Sequence, residues 1–161
     1  MSKKVAVITG SGQGIGKALA ERLASEGFAV TLSDVNEQTL SETEAEFKSK
    51  GFDVSSFVGD VTKLEDQNGL VQHAVDTFGS LDVFINNAGV EGQVAPLIKV
   101  DPKQVDFTLN VNIKGVIFGI QAAANQMIKQ GAGGKIINAC SIAALAQVSG
   151  RTRKELLDLH G

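Results

Sequence analysis

The stretch Thr9-Gly10-Ser11-Gly12-Gln13-Gly14-Ile15-Gly16 has the residue types needed to hold a phosphate. It follows the apolar run Val5–Ile8 and precedes a helical pattern. Glycines there let the turn take positive φ and bring backbone against a pyrophosphate, while the following helix offers free N–H groups and the positive end of its dipole. Gly10, Gly12, Gln13, Gly14, Ile15 and Gly16 are therefore candidate phosphate-cradle residues. Ile15 occupies the place where the G-x-G-x-x-G fingerprint needs a third Gly, and the Lys-Ser/Thr ending of a Walker A loop is missing. The pattern is T-G-x-x-x-G-x-G; its bland alternative is a tight turn that spares space. Asp34 lies about 20 residues beyond the loop, where a carboxylate can accept hydrogen bonds from adenosine ribose hydroxyls. It would repel a 2′-phosphate, and neither Ser33 nor Val35 supplies a compensating cation, which favours NAD over NADP. A solvated loop Asp or a helix cap is the alternative.

These residues must be positioned by alternating strands and helices. Val5–Ile8 is a continuous β-branched run without polar alternation, the pattern of a strand buried on both faces. A helix over Gly14–Glu26 follows, with Leu19 and Leu23 on one face and Gly27 as its stop. Ala29–Leu32 is a second strand. Asn36 caps a polar helix over Glu37–Lys50, ended by Gly51. Val54–Val58 is a third strand, and Thr62-Lys-Leu-Glu65 is a capping box for a helix to Phe78. Leu81–Ile85 is a fourth strand. After a loop, Asp101-Pro102-Lys-Gln104 combines an N-cap, a first-turn proline and a capping-box partner. The helix it opens runs to Lys129, with Val105, Leu109, Ile113, Val116, Ile117 and Ile120 at helical spacing. Lys135–Ala139 is a fifth strand. Such alternation implies a parallel sheet with helices on both faces.

Composition narrows the class. The 161 residues carry a net charge of −3, with 43% hydrophobic and 20% charged residues. That length suggests one domain able to bury about 68–70% of its unfolded surface. No apolar run reaches the roughly 18 residues of a membrane span, and Met1-Ser2-Lys3-Lys4 leads into too short an apolar run for a signal peptide. A single cysteine forms no internal disulfide and fits a reducing cytosol, so a cytoplasmic location is expected. Interspersed charges give nothing for nucleic acid. His73, His160 and Cys140 lack metal-ligand spacing, and none is expected to do chemistry.

Four segments converge on a family. Thr9–Gly16, Asp60-Val61, Asn86-Asn87-Ala88-Gly89 and Asn112-Ile113-Lys114-Gly115 resemble the motifs of the short-chain dehydrogenases/reductases, and Ile136-Ile137-Asn138-Ala139-Cys140-Ser141 resembles the strand ending at that family's active-site serine. Within it, Gly10–Gly16, Asn112–Ala122 and Gly134–Ser141 are most similar to the diacetyl/acetoin reductases, or butanediol dehydrogenases. The resemblance implies a Rossmann-like, three-layer, doubly wound parallel α/β sheet, with an NAD-binding domain over residues 1–145. It implies that Asp60 bonds the adenine amino group while Val61 packs on the ring. Asn86, Ala88 and Gly89 would line the coenzyme. Asn112 would bend the long helix and hold a proton-relay water through its carbonyl, and Ser141 would bond the oxygen of a small carbonyl or alcohol substrate. As isolated residues these are a strand-end Asp, a strand-terminal turn, a polar helix residue and a strand-end serine.

The resemblance then breaks. The family's proton donor is a Tyr, and a Lys four residues later tunes it. Lys154 and Asp158 occupy those positions, and the chain has no Tyr at all. Residues 146–161 form a divergent tail. The expectation is an incomplete sheet of five strands, lacking the last strands and the Tyr–Lys helix, through an early stop or frameshift. Coding DNA without a downstream Tyr-x-x-x-Lys in any frame would refute that origin. Such a chain is expected to be inactive as given, with an exposed edge at its fifth strand. It is also expected to associate as a homo-oligomer, or with a full-length relative, through helix 102–129.

Overall fold

The computed structural model describes residues 3–141. In chain order the elements are β1 (Val5–Thr9), α1 (Gly14–Ser25), β2 (Ala29–Asp34), α2 (Glu37–Ser49), β3 (Val54–Val58), α3 (Leu64–Phe78), β4 (Val83–Asn86), α4 (Pro102–Leu109), a π-helical turn (Asn110–Lys114), α5 (Gly115–Gln130) and β5 (Lys135–Asn138). All strand pairs are parallel, in the order β3-β2-β1-β4-β5. The order reverses between β1 and β4, which opens a crevice at the carboxyl ends of those strands.

Every residue of β1 is buried, because the strand is central and covered on both faces. Its pleat divides the core in two. Ala6 and Ile8 join Ala20, Ala24, Val30, Leu32, Leu40, Phe47 and Ile85 on the α1/α2 face. Val5 and Val7 join Leu70, Ala74, Leu81, Phe84, Ala123 and Met127 on the α3/α5 face. The period-two alternation of a strand therefore builds the three layers.

Several local expectations are corrected. The face that α1 turns inward is Gly16, Ala20 and Ala24, while Leu19 is exposed. Small residues let this helix lie close to the sheet. The Thr62–Glu65 capping box does not form: α3 starts at Leu64 after Lys63, with no side-chain cap. The Thr62 amide and hydroxyl instead donate to Asp60 Oδ1 at 2.9 and 2.8 Å, a charged acceptor two residues upstream. The fourth strand starts at Val83 because the Leu81 backbone is engaged by the Gln130 amide, which accepts from Leu81 N and donates to Leu81 O. Asn36 and Asp101 cap α2 and α4 as expected. Gln104 does not complete a box, since the Asp101 amide donates to Gln93 Oε1 at 2.8 Å. The expected single helix over 102–129 is interrupted by the π-helical turn, where the Gly115 amide reaches back to the Asn110 carbonyl. The tail from 146, with Lys154 and Asp158, lies outside the described residues.

Candidate functional site

The loop after β1 is fastened from three sides. Ser11 is fully buried; its amide donates to the Ser33 carbonyl, and its hydroxyl accepts from the Ser33 amide at 2.9 Å. The Gly12 amide donates to Asp34 Oδ2 at 3.0 Å, and the Gly12 carbonyl accepts from the Thr43 hydroxyl at 2.8 Å. Asn87 donates through Nδ2 to the Thr9 and Gly10 carbonyls, while the Thr9 hydroxyl accepts from the Asn87 and Ala88 amides. β1, β2 and β4 thus hold the loop rigid where they meet.

Two glycines are required by this geometry. Gly10 has φ +65°, and a Cβ there would sit 2.8 Å from Ala88 Cα. A Cβ on Gly16 would overlap the Gly10 carbonyl oxygen. The N-cap of α1, Gln13, makes no side-chain capping bond, and the first turn holds no acidic residue. The positive end of the helix is therefore left to face an external anion.

That helix end opens into a cleft of about 620 Å³, lined by loop residues Gly10, Gln13, Gly14, Ile15 and Gly16. Farther walls come from Asp34 and Val35 at the end of β2, from Asp60, Val61 and Thr62 after β3, and from Ala88 and Gly89 after β4. The volume is that of a ligand pocket. Asp34 ends β2; besides Gly12, its carboxylate accepts from the Asn36 amide at 3.0 Å, which fixes the orientation of both oxygens at the cleft wall. The exposed Val35 beside it is apolar. Asp60 Oδ1 is taken by Thr62, whereas Oδ2 lies 3.9 Å from the Lys63 ammonium.

Four expected residues are not in the cleft wall. Gly12 supports it from behind; a Cβ there would sit 2.7 Å from Thr39 Oγ1 and 3.0 Å from Asp34 Oδ2. Asn86 is buried, with Nδ2 donating to Asn138 Oδ1 at 2.9 Å and Oδ1 pressed against Gly119 of α5. It shares the α3/α5 side of β4 with Phe84, so the strand's pleat turns it away from the cleft. Asn112 lies in the π-helical turn, whose residues Asn110 and Val111 do line the cleft. Its side chain clamps the loop after β4, accepting from the Val90 amide at 2.9 Å and donating to the Val90 carbonyl at 2.8 Å. Ser141 is exposed and follows β5 at the same carboxyl edge of the sheet. Ser11, Thr43 and Asn87 brace the loop, and Phe107 and Asn110 line the cleft, without a motif in the sequence to mark these roles. The Asn86-Asn87 doublet at a strand end was the available signal, because one of two successive residues must face away.

Sheet order, glycine loop and crevice define an α/β protein of the Rossmann-like class. The chain matches the short chain dehydrogenase description over residues 4–153. It belongs to the short-chain dehydrogenase/reductase family. It is 54% identical over 140 residues to a diacetyl reductase [(S)-acetoin forming] of Staphylococcus epidermidis, covering 87% of this chain and 54% of that one. It is 39% identical over 144 residues to an L-2,3-butanediol dehydrogenase of Corynebacterium glutamicum, covering 88% and 55%. The chain thus spans about half the length of the curated relatives it matches. Among solved structures, a short-chain dehydrogenase/reductase of Burkholderia phymatum in complex with NAD superposes with TM-score 0.87 at 31% identity, covering 98% of this chain and 58% of that one. A gluconate 5-dehydrogenase of Burkholderia cenocepacia in complex with NADP and tartrate gives 0.79 at 36% identity, covering 88% and 55%.

Proposed function

We propose that this chain is the coenzyme-binding part of an NAD(H)-linked oxidoreductase that interconverts a small ketone or diketone and the corresponding alcohol, of the acetoin/diacetyl type. The observation that carries the coenzyme reading is the pairing of an uncapped α1 N-terminus with Asp34 across one cleft. The glycine cradle fits a pyrophosphate, since side chains at Gly10 or Gly16 would collide with the loop's own neighbours. Asp34 would accept from ribose hydroxyls, and its charge together with apolar Val35 opposes a 2′-phosphate. Asp60 and Val61 would take the adenine, and Ala88 and Gly89 would leave room beside β4. When bound, the nicotinamide supplies or accepts a hydride. The substrate class rests on the 54% and 39% identity to the reductase and the dehydrogenase above.

Ser141 would donate to the substrate oxygen. Asn112 would act through its carbonyl, because its side chain is committed to Val90. The chain contains no Tyr to protonate that oxygen. General acid help contributes typically ~10²–10⁴ in rate, so this 161-residue chain is expected to bind coenzyme without turning it over at ordinary rates. Titration of NADH by nicotinamide fluorescence tests the proposal. Saturable enhancement competed by NAD⁺ and not by NADP⁺ supports it, and absence of binding by the folded chain overturns it. Oxidation of NADH by diacetyl at ordinary enzyme rates would overturn the inactive state alone.

One observation favours a second role, association with another copy or with a full-length relative. No residue of α4 is buried, and Val105, Leu109, Ile113 and Ile117 form an exposed apolar stripe through the π-helical turn into α5. Co-purification with a full-length relative is the test.

A further inference from the structure

Gln67 lies in the first turns of α3 and is 1% exposed. Its Nε2 donates to the Gly115 carbonyl at 3.2 Å, whereas its Oε1 is buried with no hydrogen-bond partner among the described residues. Burying half of an amide unsatisfied costs stability, and an apolar residue of similar volume would fill this place without that penalty. What Gln67 contributes is the bond to Gly115. Gly115 closes the π-helical turn that carries Asn112, its amide donating to the Asn110 carbonyl. A second contact reaches the same residue: a Cβ on Gly115 would sit 2.9 Å from Val61 Cγ2. Val61 also lines the cleft. Val61 therefore meets both the cleft and the end of the turn.

We propose that Gln67 is a positioning residue that, together with the Val61–Gly115 contact, couples the adenine end of the cleft to the π-helical turn presenting Asn112. This rests on the reading that Asp60 and Val61 take the adenine. A purine packed on Val61 restrains the side chain abutting Gly115 while Gln67 holds the Gly115 carbonyl from α3. Occupancy at one end then narrows the motion of the turn at the other without any large displacement. The nicotinamide end would meet a turn already ordered by adenine.

The experiment is amide hydrogen exchange of the full chain with and without saturating ADP, which carries adenine, ribose and pyrophosphate but no nicotinamide. In the wild type, exchange across Val111–Gly115 is expected to slow about fivefold or more on ADP binding. In Gln67→Leu the slowing should disappear while the ADP Kd stays within about threefold of wild type. Gln67→Met serves as a second variant if the first does not fold. Wild-type binding with no slowing, or variants that keep it, would overturn the inference. So would variants that exchange faster by the same factor with and without ADP, because that is a merely structural role. Failure of ADP to bind the folded wild type overturns the nucleotide reading itself, and the titration separates the two cases.

Discussion

Asp34 shows how much one residue can carry at this site. One oxygen holds the Gly12 amide and the other the Asn36 amide, so the group proposed to meet a ribose is also part of the loop's scaffold. Hydrogen bonds to a charged group are worth about 1.5–3 kcal/mol, so Asp34→Ala should weaken NADH binding roughly tenfold or more, read by titration. The same variant should let NADP⁺ compete better than it does against the wild type, because the opposing charge is gone. Gly16→Ala places a methyl group against the Gly10 carbonyl and the Asn87 amide; overpacking of this kind costs about 1–3 kcal/mol and should appear as a lowered Tm together with lost NADH binding. Residue types were legible here wherever the chemistry demanded them: glycines at the turn and a carboxylate at the end of β2. Side-chain direction was legible only through strand register. Asn86 and Asn87 look equivalent in sequence, yet the pleat sends the first under α5 and the second to the loop.

Elements succeed or fail at their ends. The cap of α4 is Asp101, which accepts from the Lys103 amide at 2.9 Å. Asp101→Ala should cost about 1 kcal/mol by urea midpoint, while Gln104→Ala should change little because Gln93 makes the bond assigned to it. The capping box at Thr62 fails for a positional reason: α3 begins at Leu64 with Lys63 at the cap position, and Thr62 sits in the preceding turn, where its amide and hydroxyl both donate to Asp60 Oδ1. The interruption at Asn110–Lys114 left no trace in the apolar spacing, since one extra residue in a turn shifts the stripe without erasing it. Helices α1 and α2 are tied by ion pairs. Bonds from Lys17 and Lys50 hold the Glu46 carboxyl down at about 2, and Glu21 and Glu46 raise the Lys50 ammonium above its usual value. A depressed carboxyl stabilises the fold above its unfolded value and loses that contribution as pH falls. Glu46→Gln should therefore lower the Tm at neutral pH, and the gap from wild type should close between pH 4.5 and about 2.

Over the described residues, layer count and strand number followed from alternation and from the buried run at β1, whereas the crevice comes from the strand order, which alternation does not state. Where the apolar stripe of α4 and α5 goes did not follow either, because periodicity states which face is apolar and not what covers it. Substituting Lys at Leu109 and Ile113 should abolish concentration-dependent association in sedimentation velocity while leaving NADH binding in place; a wild type that stays monomeric at every concentration would remove the association role. The division of the core by β1 has a consequence in time. The α1/α2 face is assembled from residues up to Val54, completed by Ile85, whereas the α3/α5 face needs Ala122, Ala123 and Met127. As the chain leaves a ribosome, one side of β1 can find nearly all its partners while its other side is still bare. Val5 and Val7 gain cover only when α3 brings Leu70 and Ala74 and β4 brings Phe84, and the face closes only when α5 adds Ala122, Ala123 and Met127. During that interval the nascent sheet presents an adhesive surface, and the interval is set by the rate of translation as much as by the sequence.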